Sequence, residues 1–120
     1  GLGPNDSFWI NIWFYPTALN REIMSETDGP SPGYYYNMLE TDNDGYVHAG
    51  VWTTSTGNIS SVVSTNKVTV NAWNHIVCTY DGAGTKTVYV NAVQKAQATG
   101  LTGVVPSSPS GYNGSSISTK

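Results

Sequence analysis

Carboxylates, histidines and aromatic rings are the residues of this 120-residue chain with types and spacing that could do chemistry. The run Glu22-Ile23-Met24-Ser25-Glu26 sets two carboxylates at i and i+4. On a flat strand their backbones stand ~13 Å apart, whereas retaining glycoside hydrolysis holds two carboxyl groups at ~5 Å, so this pair needs a helper and a bend to work. Two solvated carboxylates beside Arg21 is the simpler reading. Asp42, Asn43 and Asp44 ahead of Gly45 offer oxygen ligands suited to Ca²⁺, but Asp, Asn and Gly also build tight turns, and the later ligands of a full calcium loop, above all a bidentate Glu, are missing. His48 and His75 have no Ser or Cys partner at an informative spacing, so no catalytic triad is assigned and the chain is expected not to be an enzyme. No cofactor is expected, with Asp42 and Asp44 as the weak calcium candidates.

The aromatic residues are the stronger lead. Sugar rings stack their C–H faces on flat aromatic side chains while neighbouring amides and hydroxyls orient them. Trp9, Trp13, Tyr15, Tyr34, Tyr35, Tyr36, His48 and Trp52 are available for this, and Trp9, Trp13, Tyr15, Tyr35, His48 and Trp52 form the expected ligand-binding set. Core packing competes for each of them, because a small sandwich of short strands needs large rings to fill it. Trp73, at a strand start, is assigned to structure. Charged residues make up 11% of the chain against ~25% in a typical globular protein, so its surface is neutral, polar and suited to neutral ligands. With a net charge of -3 and five Lys and Arg, no basic stripe can neutralise phosphates, which argues against nucleic acid and anionic membrane as partners.

The elements that must position these groups read as strands throughout one domain. Residues 73–91, WNHIVCTYDGAGTKTVYVN, form two β-rich arms about a Gly-containing turn, an antiparallel hairpin whose arms are expected to be central. Parity puts Ile76, Cys78 and Tyr80 on one face, with His75, Val77 and Thr79 on the other, and sets Val88 and Val90 against Tyr89. Residues 7–15 read as a strand with Phe8, Ile10, Ile12 and Phe14 on the core face and Trp9, Asn11, Trp13 and Tyr15 outward, ended by Pro16. Further strands are expected over 21–26, 34–41, 46–54, 58–65 and 92–99, with DNDG closing the long hairpin and a weak strand over 115–119. The nine core-facing residues named here are expected to form one buried core. Cys78, the single cysteine, is expected inside it, and no intrachain disulfide can form. With no long apolar run, membrane insertion is not expected. The chain lacks an initiating Met and a leader pattern, so a mature product or a piece of a longer polypeptide is expected.

Two of these stretches carry a resemblance. WNHIVCTYDG followed by TVYVN resembles the hairpin of concanavalin-A-like, laminin-G-like jelly-roll domains, usually W-H-H-V-A-V-T-Y-D-G and L-Y-V-N-G, and FWINIWFYP is similar to their F-T-I-S-F-W-V-K-P strand. The resemblance spans residues 7–99. It departs at Ala92, where the family has Gly to supply positive φ, and on the outer face of the first strand, which is unusually aromatic. It implies an all-β antiparallel jelly-roll sandwich. The strands that normally begin and end that fold are not recognisable here, so they are expected to be missing or supplied by another chain. The resemblance also implies a non-enzymatic module binding neutral glycans or a glycoprotein surface, located extracellularly or on a virion. A structural assembly subunit such as a virion decoration, tail fibre or filament component is the competing class. Laminarinase-type glycosidases of this superfold carry E-x-D-x-E on one strand; Met24 stands where the middle Asp would be, which leaves hydrolysis a distant third.

Overall fold

The computed structural model describes residues 6–27, 35–53, 58–101 and 116–119, and all of its regular elements are strands. In chain order they are β1 (Phe8–Phe14), β2 (Arg21–Thr27), β3 (Tyr35–Thr41), β4 (Tyr46–Thr53), β5 (Asn58–Lys67), β6 (Asn74–Tyr80), β7 (Lys86–Val90), β8 (Val93–Ala98) and β9 (Ser116–Thr119). They form two antiparallel sheets, a four-stranded one in the order β1-β6-β7-β8 and a five-stranded one in the order β5-β4-β3-β2-β9. The fold is the expected all-β sandwich, and each expected strand is present within a residue or two of its boundaries.

Alternation along each strand explains how the sheets face one another. Ile76, Cys78, Val88 and Val90 from one sheet and Ile23, Leu39, Val47, Ala49 and Val62 from the other meet in one buried cluster, with Ile10, Ile12 and Phe14 half-buried at its margin. The single core expected from parity therefore needs correction, since Tyr80 packs with Leu101 and Phe8 in a second, smaller cluster. There the Tyr80 hydroxyl donates to the Leu101 carbonyl at 3.0 Å.

The hairpin arms β6 and β7 are central as expected, with Ile12 opposite Ile76 and Cys78 opposite Val88. Among the described residues β1 lies at the edge of its sheet, pairing with β6 alone. The weak strand expected over 115–119 is β9, which pairs with β2, Met24 facing Thr119. The turn after Asn91 keeps the positive φ that the family's Gly would supply, at 51° for Asn91 and 63° for Ala92, so Ala92 holds a backbone conformation that costs an L-residue energy.

Candidate functional site

The outward parity of β1 and β6 builds an aromatic face on the four-stranded sheet. Trp9 faces Thr79, Asn11 faces Val77 and Trp13 faces His75 across the strand pair. The Trp13 and His75 rings stack with centroids 4.6 Å apart and an 18° interplanar angle. His75 Nε2 also donates to Asn11 Oδ1 at 2.6 Å, fixing the imidazole between a ring and an amide. Beyond the strand end, Tyr15 meets Trp73 edge-on at 5.7 Å. Trp9, Trp13, Tyr15 and Trp73 are 69%, 62%, 47% and 65% exposed, so core packing does not account for them. Next to them the sheet dips into a shallow depression of about 460 Å³ lined by His75, Val77, Thr79, Tyr89 and Ala92.

Buried polar groups hold Trp73 in place. The Asn74 side chain is fully buried, accepts from the Thr69 N–H at 2.9 Å and donates to the Thr69 and Ala72 carbonyls at 2.8 and 2.9 Å. These bonds close the loop before Trp73, and the Asn71 N–H donates to the Pro16 carbonyl at 2.8 Å, tying that loop to the end of β1. Sequence reasoning missed Trp73, His75 and Tyr89 as members of this face. Parity already pointed His75 outward; the missing information was the pairing of β1 with β6, which sets Trp13 opposite it.

The remaining expected site residues lie elsewhere. His48 sits on the outer side of the five-stranded sheet between inward-facing Val47 and Ala49, so it does not join Trp9, Trp13 and Tyr15. Its Nε2 is 3.1 Å from Asp42 Oδ2. Tyr35 and Trp52 occupy β3 and β4, opposite Thr27 and Ile59, and their side chains lie outside the described residues, as do Tyr34 and the Tyr36 side chain. Glu22 lies opposite Glu40, Met24 packs against the core, and the Glu26 side chain is outside the described residues.

Asp42 works as a turn residue. Its Oδ1 accepts from the Asp44 and Tyr46 N–H groups, both at 2.9 Å, while Oδ2 faces His48. Burial tends to raise its pKa, but the His48 contact and the two N–H bonds outweigh that and hold the carboxyl below its ordinary range. These contacts account for Asp42 as the residue that shapes the turn between β3 and β4. Asp81 repeats the device between β6 and β7, its Oδ1 accepting from Ala83 and Thr85 N–H at 2.7 and 2.9 Å.

Comparison with known proteins agrees with this architecture. The chain is 29% identical over 76 residues to an uncharacterized protein of Saccharomyces cerevisiae, an alignment covering 63% of the chain and 43% of that relative's length. The chain thus spans less than half of the relative it matches. A family model described as concanavalin A-like lectin/glucanases superfamily, of the laminin-G type, matches residues 1–118. Taken with the two facing antiparallel sheets, a match over nearly the whole chain establishes that this protein belongs to the laminin-G-type family of the concanavalin A-like lectin/glucanases superfamily.

Proposed function

We propose that this chain is a non-catalytic recognition module that binds neutral glycans on the outer face of the β1-β6-β7-β8 sheet, at a cell or virion surface. The observation carrying the reading is the exposure of Trp9, Trp13, Tyr15 and Trp73 on one side of the molecule, beside the bonded Asn11 and His75. Flat rings supply stacking area for sugar C–H faces, and an amide and imidazole held in fixed geometry supply direction. The scarcity of charge in the chain favours a neutral ligand. An assembly role, in which the domain is a spacer in a larger particle, is the second reading, and the edge position of β1 among the described residues favours it.

A glycan array probed with the wild-type chain, Trp13→Ala and Trp73→Ala tests the first reading. Neutral glycans should be retained by the wild type, lose at least ~10-fold in affinity in either variant, and be recovered uncleaved, with no change on adding chelator or raising salt. Signal confined to anionic glycans and fading with salt, or signal unaffected by removing both tryptophans, overturns it.

A further inference from the structure

Among the rings of its outer face, the four-stranded sheet carries two small side chains on β6. Val77 and Thr79 follow His75 there, and the shallow depression of about 460 Å³ lies over them, bounded on its far side by Tyr89 and Ala92. Val77 faces Asn11 of β1 on one side and Tyr89 of β7 on the other. An amide, a patch of methyl groups and a phenol ring thus stand in one row across the sheet, about 4.8 Å from strand to strand. The rows on either side hold larger rings, Trp13 with His75 and Trp9 opposite Thr79. The depression is therefore apolar at its floor and polar along the margin nearest β1.

That polar margin has a direction. An amide oxygen can only accept, so the 2.6 Å contact with Asn11 Oδ1 makes His75 Nε2 the donor and fixes which way the Asn11 amide points. Its Oδ1 is turned to His75 and its Nδ2 away from it. Asn11 is exposed, and no hydrogen bond among the described residues engages Nδ2. The outward positions of β1, β6 and β7 in these rows hold no Asp, Glu, Lys or Arg among the described residues.

We propose that this depression is a subsite for an acetamido group, so that the ligand is a neutral glycan containing N-acetylated sugars; the inference rests on the reading of this face as a glycan site. An acetamido group joins, in one planar unit, a carbonyl that accepts a hydrogen bond and a methyl that is apolar. Asn11 Nδ2 donates to the carbonyl while the methyl settles on Val77, shielded by Tyr89 and Ala92. The pyranose itself stays on the exposed rings that flank Asn11 along β1, Trp9 and Trp13. A hydroxyl in place of the acetamido group reaches Asn11 but leaves the floor uncovered, and one pushed down onto Val77 loses water without gaining a partner. Carboxylated or sulfated sugars find no cation to pair with in these rows, which leaves the neutral acetamido sugars.

Matched sugars test the subsite: triacetylchitotriose against cellotriose, and N-acetylgalactosamine against galactose, each pair differing only in acetamido against hydroxyl at the same ring carbons. In titration calorimetry of the full chain, the acetamido member of at least one pair should bind about tenfold or more tightly than its counterpart, as one covered methyl and one hydrogen bond together give. Asn11→Asp keeps the oxygen that holds His75 and removes the donor, and should cost the acetamido sugar about tenfold. Val77→Phe fills the depression with a residue strands favour, and should bring the pair within about twofold of each other. The wild-type comparison does not depend on either variant folding. Equal affinity within both pairs, neutral binding confined to glycans without acetamido groups, or a preference that survives both substitutions overturns the subsite and leaves the glycan-binding reading standing. A wild-type chain that retains no neutral glycan at all overturns that reading and the subsite with it.

Discussion

Lys86 occupies an inward position of β7, in register with core residues Val88 and Val90, and is 1% exposed. Its Nζ donates to the Gly50 carbonyl of the facing sheet at 2.8 Å, and Cys78 and the Phe8 ring lie beside it. Burial lowers the lysine pKa and raises that of the Cys78 thiol, since both charged forms lose hydration and the attraction between the two groups offsets only part of that loss. A lysine whose folded pKa lies below its ordinary 10.5 leaves the unfolded chain holding the extra proton between the two values. Stability therefore rises as pH climbs through that window and the penalty disappears above it. Lys86→Met should raise stability at pH 7 by about 1 kcal/mol, the relief of desolvation exceeding the loss of one bond to Gly50. In urea melts the gain should shrink as pH approaches 10.5. The sequence contained this placement in its parity but hid it in its chemistry: alternation from Val90 and Val88 points Lys86 inward, while the residue type argues for solvent.

At the scale of elements, turn chemistry was the most legible part of the chain. Asp42 and Asp81 each start a three-residue loop and cap it through the N–H groups two and four residues on, so DNDG and DGAG build equivalent hairpin ends from different residues. Asn91 and Ala92 form the two-residue connection between β7 and β8 with φ of 51° and 63°, the pattern of a type I′ turn, which favours Asn-Gly. Asn tolerates that region through its short polar side chain, but an alanine Cβ crowds the following carbonyl. Ala92→Gly should stabilise the protein by about 0.5 to 1 kcal/mol after the entropy lost by glycine, visible as a raised denaturation midpoint with an unchanged slope. Strand identity and parity were equally readable, from alternation in β1 and β6 above all. Register and strand order were not, because they depend on which strands meet. Hence Trp13 and Tyr15 were foreseen as ligand-facing residues while Trp73 and His75, which complete their face, were not.

Across the whole molecule the core is asymmetric. It is dense where β6 and β7 face β3 and β4: Ile76, Cys78, Val88, Val90, Leu39, Val47 and Ala49 are all fully buried there. Toward β1 it thins, and Ile10, Ile12 and Phe14 pack against it only partly, beside the groove that opens toward β2. Side chains identical in type and directly opposed in register, Ile12 on β1 and Ile76 on β6, thus sit in different surroundings. Truncating Ile76 removes the transfer energy of a fully buried side chain and leaves a cavity that close-packed neighbours cannot collapse into, so Ile76→Ala should cost about 2 to 5 kcal/mol. Ile12→Ala leaves space already continuous with the groove and removes less buried area, so its cost should be about 1 kcal/mol. Urea denaturation of the two variants compares them directly. Equal costs would show that the β1 margin is as tightly packed as the centre.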